Sequence, residues 1–149
     1  MALGDLPTPV RRCDATGTAL PGNLWIKRDD LAAPVLGGNK VRALEFLLAG
    51  LSPGDVVLTA GGEGSTHILT TAFYARQLGA VTHAVRWRHD MNPSARLVAD
   101  RARALCDRIT TTGSPLVVLV LAHATRRRAT RSSTRGGSCP LGMLGHVNE

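Results

Sequence analysis

Apolar side chains recur at helical spacing in three separate segments of the chain. The first segment begins near Lys40 and stops before Pro53, and the second runs from Ser65 to Gly79. The third opens at Asn92, an asparagine followed by a proline, which is a frequent start for a helix. Apolar residues three or four positions apart share one face of a helix, so each segment is predicted to be an amphipathic helix.

Short runs of aliphatic and β-branched residues lie between and around these helices. Val56–Ala60 and Val81–Trp87 predict two buried strands, and Leu116–Leu121 predicts a third. The first 36 residues read as irregular, apart from a short strand at Leu24–Lys27. Strands and helices that alternate through short connections predict an α/β fold, with an open parallel sheet and covering helices.

The positive charge of the chain is unevenly distributed. The 149 residues are enough for one domain with a core, and their net charge is +7. One polar stretch holds five of the arginines, namely Arg126, Arg127, Arg128, Arg131 and Arg135. Such a run is usually solvated or disordered. Nucleic-acid binding through residues 126–135 ranks third among the hypotheses, because no aromatic side chains interleave with the arginines to stack on bases.

Cysteine usage and the lack of targeting patterns favour the cytoplasm. Cys13, Cys106 and Cys139 are odd in number and widely spaced, which is typical of free thiols in a reducing compartment. No apolar run is long enough to span a bilayer, and no secretory signal is recognised. The histidines have no ligand spacing with one another or with the cysteines, so the sequence predicts no metal site.

Lys40 is one of only two lysines in a chain that has sixteen arginines, and it follows Gly37, Gly38 and Asn39. Lysine can form a Schiff base with a carbonyl compound, whereas the guanidinium of arginine stays protonated. Paired glycines allow the backbone to approach a flat ligand or to adopt positive φ angles. The pattern indicates a reactive amine, although an ordinary surface lysine at the start of a helix fits it equally.

Four motifs occur in the order found in one known enzyme family. They are Leu6-Pro7-Thr8-Pro9, Trp25-Ile26-Lys27-Arg28-Asp29-Asp30, Gly37–Glu45 and Gly61–His67. They resemble the pyridoxal-phosphate enzymes grouped as D-cysteine desulfhydrase and 1-aminocyclopropane-1-carboxylate deaminase, over about residues 6–109 and again at 136–148. In that family the lysine of GGNK-x-R-x-L-E holds the cofactor. The resemblance therefore implies that Lys40, with Asn39 beside it, binds pyridoxal 5'-phosphate.

The resemblance also implies an architecture. The family has fold type II, the fold of the tryptophan synthase beta chain, in which a small open α/β domain is inserted into a larger one. Residues 1–40 would belong to the large domain, residues 41–122 to the small domain, and residues 123–149 to an arginine-rich tail that re-enters the family pattern at 136. Most of the large domain, including the loop for the cofactor phosphate, has no counterpart. We therefore expect a truncated chain that is inactive or nearly so, whereas full-length members are expected to be homodimers.

A glycine-rich turn, Gly61–Ser65, leads from the first predicted buried strand into the second helix. Backbone N–H groups converge there with the positive end of a helix dipole, which suits a carboxylate or phosphate. A glycine turn with serine as an ordinary cap is the other interpretation. The resemblance implies that Ser65, Thr66 and His67 receive the substrate carboxylate, and that Thr66 replaces an asparagine that contacts the cofactor ring. His67 either shuttles protons or faces solvent at the start of the helix.

The activity that the resemblance implies is that of a pyridoxal-phosphate-dependent lyase or deaminase acting on a small amino acid. The substrate would be D-cysteine, converted to pyruvate, hydrogen sulfide and ammonia, or 1-aminocyclopropane-1-carboxylate, converted to 2-oxobutanoate and ammonia. Desulfhydrase chemistry is preferred. The alternative is a non-catalytic fragment that binds a small anion or an amino acid at the Gly61–Ser65 turn.

Two other polar features are predicted to be structural. Asp29 and Asp30 closely follow Lys27 and Arg28 and are expected to form ion pairs rather than to act in catalysis. Tyr74 is the single tyrosine, lies in the middle of a predicted helix and is expected to contribute packing.

Overall fold

The computed structural model describes residues 2–13 and 24–113, which contain two separate sheets and four helical segments. In chain order the elements are β1 (Val10–Arg12), β2 (Trp25–Lys27), a 3-10 helix (Asp29–Leu31), α1 (Lys40–Leu47), β3 (Val56–Gly62), α2 (Thr66–Gln77), β4 (Val81–Trp87), α3 (Pro93–Leu105) and β5 (Arg108–Thr112). Strands β3, β4 and β5 form a parallel sheet in that order, and β1 pairs with β2 in an antiparallel ribbon. The predicted α/β fold class is therefore confirmed.

Helix α2 lies on the parallel sheet, and α3 packs against α2. A buried cluster joins these elements through Leu69 of α2, Ala84 of β4 and Ala102 of α3. In the strand register Gly62 of β3 pairs with Trp87 of β4, so the two strands end level with each other. The carboxyl ends of the strands therefore form one edge, and the N-terminus of α2 begins beside it.

Helix α1 packs against α2 through the largest apolar cluster, in which Val41, Leu44 and Leu48 lie on one face of the α1 segment. Tyr74 of α2 is buried in the same cluster, which confirms its predicted packing role. The helix ends earlier than predicted, because Gly50 adopts a φ of 71° and turns the chain away from the helix axis.

A buried arginine ties the start of the chain to α1. The guanidinium of Arg42, whose side chain is 2% exposed, forms an ion pair with Asp29 and a hydrogen bond with the Thr8 hydroxyl. The Thr8 hydroxyl in turn donates to Asp29 at 2.8 Å. On the surface, Arg28 pairs with Asp30 at 2.6 Å. The two acidic residues thus form ion pairs, as predicted.

The helices and most strands agree with the pattern, and two strands were missed. Asn92 caps α3 by accepting a hydrogen bond from the Ala95 amide at 2.8 Å, as expected of an asparagine cap. The prediction of an irregular N-terminal segment is wrong at β1, because its short, exposed and arginine-rich sequence carries no apolar pattern. β5 was also missed, since three of its five residues are threonines. The predicted strand Leu116–Leu121 and residues 123–149 lie outside the described residues.

Within the described ranges, no helix combines the length and the apolar character needed to cross a membrane. Nor do those residues bring together three or more histidine, cysteine, aspartate or glutamate side chains that could hold a metal ion.

Candidate functional site

The glycine-rich turn between β3 and α2 is held against its neighbours by backbone contacts. The amide of Glu63 donates to the carbonyl of Trp87 at 2.9 Å, and the amide of Ser65 donates to the carbonyl of Gly62 at 3.0 Å. Gly64 has a φ of 78°, and a Cβ at that position would lie 2.7 Å from the carbonyl oxygen of Ala95. The turn therefore needs glycine at this position, and its shape is fixed at the carboxyl edge of the sheet.

The N-terminus of α2 offers hydrogen-bond donors that the helix itself does not use. The first intrahelical bond runs from the Leu69 amide to the Ser65 carbonyl at 3.2 Å, so the amides of the first turn have no acceptor within the helix. Ser65 occupies the cap position, but its side chain does not cap the helix. Its hydroxyl instead lies over Gly61, where a Cβ would approach it to 2.9 Å. These donors and the helix dipole suit a carboxylate or a phosphate.

Lys40 and His67 come from different helices and lie near each other. Lys40 is the first residue of α1 and is partly buried. His67 is only 8% exposed, and no described residue gives its Nε2 a hydrogen-bond partner. Burial, and then the positive charge of Lys40, lower the pKa of His67 to about 4. His67 is therefore neutral at physiological pH, and the interpretation that it faces solvent is wrong, because α2 turns its side chain inwards.

The other two predicted site residues lie at the surface of the same region. Asn39 occupies the cap position of α1 without capping it, and its side chain is exposed. Thr66 is the first residue of α2 and is also exposed, while its carbonyl accepts a hydrogen bond from the Thr70 hydroxyl at 2.7 Å. Both side chains are accessible to a ligand, but they make no contact that assigns them a role.

A buried ion pair that the sequence analysis missed supports the glycine-rich turn. Arg86 of β4 pairs with Glu63 at 2.8 Å, and both side chains are largely buried. The Nε of Arg86 also donates to the hydroxyl of Thr111 on β5 at 3.0 Å. The available signals were an acidic residue inside the turn and an arginine inside an otherwise apolar strand. The pair links the turn to both neighbouring strands.

Solved structures share this arrangement of strands and helices. A structure described as an ACC deaminase homologue superposes with a TM-score of 0.65 at 30% identity, covering 83% of this chain and 40% of the other. O-ureido-L-serine synthase superposes with a TM-score of 0.58, but at 18% identity this likeness concerns the fold alone. The described residues therefore have the α/β fold that the ACC deaminase homologue also has.

The sequence comparisons find similar proteins with related names. A mitochondrial bifunctional D-cysteine desulfhydrase/1-aminocyclopropane-1-carboxylate deaminase of Arabidopsis thaliana is 42% identical over 86 residues, which are 56% of this chain and 21% of the relative. A D-cysteine desulfhydrase of Klebsiella pneumoniae is 33% identical over 95% of this chain and 47% of its own length. A putative 1-aminocyclopropane-1-carboxylate deaminase of Pyrococcus horikoshii is 30% identical over 94% of this chain and 45% of its own length. No family model matches the sequence.

The chain is similar in sequence and fold to proteins named D-cysteine desulfhydrase and 1-aminocyclopropane-1-carboxylate deaminase, as its motifs indicated. It spans less than half the length of these curated relatives.

Proposed function

We propose that the chain carries the lysine-bearing side of a pyridoxal 5'-phosphate site, with Lys40 as the amine that receives the cofactor aldehyde. The observation that carries the proposal is the position of Lys40. It is partly buried, follows a glycine pair and is close enough for its charge to lower the pKa of His67, whereas a generic surface lysine would be exposed. Similarity to D-cysteine desulfhydrases supports the choice of cofactor.

The described residues fit the aldehyde-bearing and ring-bearing part of the cofactor. Lys40 supplies the amine, and the buried Nε2 of His67 supplies a polar atom that no described residue satisfies. A buried polar atom without a hydrogen-bond partner is uncommon, because leaving it unpaired costs free energy. A polar ligand beside Nε2 would remove that cost. Asn39 and Thr66 are placed as accessible amide and hydroxyl groups at the two helix starts, and we propose that they contact the cofactor.

The chain's own residues can bind and deprotonate an amino acid. The first-turn amides of α2 and the Ser65 hydroxyl bind the substrate carboxylate. The amine of Lys40 takes a proton from the substrate Cα and can return it. His67 stays neutral and therefore adds no charge that would oppose the approach of the protonated substrate. Pyridoxal phosphate, when bound, supplies an electron sink for the negative charge that develops at Cα.

The substrate class follows from the relatives and belongs to the proposal. The curated relatives are named for D-cysteine and for 1-aminocyclopropane-1-carboxylate, both small amino acids with one carboxylate. A single helix N-terminus suits one carboxylate. We favour D-cysteine, with lyase chemistry that releases the sulfur from Cβ. Little turnover by the 149-residue chain is expected, since it spans less than half of these relatives.

The test is a titration of the purified full chain with pyridoxal 5'-phosphate, followed by absorbance spectroscopy. The wild-type chain should shift the cofactor spectrum, and Lys40→Ala should abolish the shift. Lys27→Arg is the matched control, since it removes the other lysine and should leave the shift unchanged. A shift that survives in Lys40→Ala would contradict the proposed role of Lys40.

A second candidate function is the binding of a small anion without the cofactor. The unused amides of α2 and the Ser65 hydroxyl favour it. Calorimetry with inorganic phosphate and with D-cysteine, in the absence of cofactor, distinguishes the two. Binding of either ligand that is unaffected by Lys40→Ala would favour the anion-binding function.

We further propose a cytoplasmic location. Of the cysteines that the structure describes, Cys13 and Cys106 both carry free thiols, which is the usual state in a reducing compartment. Fractionation of cells that produce the chain would test this location.

A further inference from the structure

The turn that precedes Lys40 has a backbone shape that its sequence alone does not favour. Leu36 has a φ of 52°, a left-handed conformation that residues other than glycine adopt infrequently. Gly37 is closely packed, since a Cβ there would lie 2.5 Å from the carbonyl oxygen of Ala33. Gly38 follows with a φ of 114°. A turn with this backbone needs contacts from elsewhere to hold it in place.

Tyr74 of α2 supplies such a contact from a distant part of the chain. Its side chain is 2% exposed, and its hydroxyl donates to the carbonyl of Val35 at 3.2 Å. The Val35 side chain is 53% exposed, so packing of that side chain contributes little to holding the turn. Burial, and then the charge of Glu45, raise the pKa of Tyr74, so the phenol keeps the proton that it donates.

The same helix holds both Tyr74 and the histidine beside Lys40. His67 and Tyr74 are seven positions apart, which places them on one face of α2 about 10 Å apart along its axis. One end of this face lies near Lys40, and the other end holds the turn that leads to Lys40. Helix α2 therefore contacts the turn through Tyr74, and its N-terminal end lies within reach of the Lys40 charge.

We propose that Tyr74 is a positioning residue, whose hydroxyl holds the Val35–Gly38 turn and thereby sets the placement of Lys40 against His67. The importance of that placement rests on the proposed function of Lys40. The hydrogen bond and its effect on the turn do not depend on any cofactor.

The experiment compares the full chain with Tyr74→Phe, which removes the hydroxyl and keeps the ring. The first readout is amide hydrogen exchange of Val41, whose N–H donates to the Gly38 carbonyl at 3.1 Å. The reference amide is that of Val81, which donates to the Asp55 carbonyl at 2.8 Å at the far end of the sheet. In Tyr74→Phe, the Val41 amide should exchange about fivefold faster relative to Val81, the factor expected for one neutral hydrogen bond.

The second readout reports on the lysine directly. Reductive methylation with carbon-13 formaldehyde gives one resonance for each of the two lysines and one for the α-amine, and Lys27→Arg and Lys40→Arg assign the lysine resonances. In Tyr74→Phe the Lys40 resonance should move towards its position in the urea-unfolded chain, while the Lys27 resonance stays in place. Neither readout uses the cofactor, so failure of this proposal is distinct from failure of cofactor binding.

Phe73→Leu is the matched control, because Phe73 neighbours Tyr74 and packs against the same cluster without a hydroxyl. It should lower overall stability and speed exchange at both amides by similar factors. If Tyr74 had a purely structural role, Tyr74→Phe would also speed exchange at both amides by similar factors and would leave the Lys40 resonance unchanged. Either observation in Tyr74→Phe would overturn the proposal. The wild-type chain adds a check that needs no variant, since exchange of its Val41 amide at the unprotected rate would also overturn it.

Discussion

The buried histidine beside Lys40 should make the stability of the chain depend on pH between 7 and 5. The pKa of His67 falls from its ordinary value of 6.5 to about 4 in the folded chain. The unfolded chain therefore takes up a proton on His67 near pH 6.5, and the folded chain does so only near pH 4. Between these two pKa values the protonation of His67 favours the unfolded state. The free energy of unfolding therefore decreases as the pH falls.

The size of the effect follows from the two pKa values. One pKa unit corresponds to about 1.4 kcal/mol, so this histidine should cost the fold about 2 kcal/mol between pH 7 and pH 5. The carboxyl groups of Asp29 and Asp30 titrate below this range, because hydrogen bonds from Arg42 and Arg28 respectively lower their pKa values. They therefore contribute little to the change.

Urea denaturation at the two pH values measures the free energy of unfolding directly. The wild-type chain should lose about 2 kcal/mol more than His67→Leu, and contributions from other histidines cancel in the difference. Lys40→Met should shrink the loss, because the charge of Lys40 is the second cause of the lowered pKa. Equal losses in the wild type and His67→Leu would refute the burial of His67.

Three further predictions concern the surrounding structure. Asp29→Ala leaves the buried Arg42 without its carboxylate and should lower the free energy of unfolding by about 3 kcal/mol, whereas a loss under about 1 kcal/mol in urea denaturation would show that the pair matters little. Gly64→Ala should cost about 2 kcal/mol, because φ is 78° and the new methyl group would meet the Ala95 carbonyl; unchanged stability would contradict the described turn. Burial raises the pKa of the Cys106 thiol to about 11, so iodoacetamide at pH 8 should modify it about a hundredfold more slowly in the folded chain than in urea, and mass spectrometry showing equal rates would contradict its burial.

Local signals were sufficient for α2 and α3. Asn92 followed by proline marks the start of α3, and Gly79, which has a positive φ, marks the end of α2. Each signal lies within a few neighbouring residues, so the sequence alone locates these helix ends. β5 gave no such signal. Its residues are mostly threonine, and it becomes a strand only because β4 is available to pair with it along its whole length.

The candidate site likewise has features that the sequence predicts and features that only the structure reveals. Lys40 and the Gly61–Ser65 turn are recognisable because each is a continuous motif. The burial of His67 and the pairing of Glu63 with Arg86 depend on how α2 and β4 pack. The ion pair joins residues that are more than twenty positions apart in the chain. No pattern within a short window encodes such contacts, so these features had to come from the structure.

The most direct test of the central claim is where pyridoxal 5'-phosphate attaches to the chain. The full chain would be incubated with the cofactor, reduced with borohydride and digested, and mass spectrometry would measure modification at Lys40 and at Lys27. In the folded chain we predict strong preference for Lys40, and in urea the preference should disappear. Equal modification of the two lysines in the folded chain, or modification of Lys27 alone, would contradict the claim that Lys40 is the cofactor lysine.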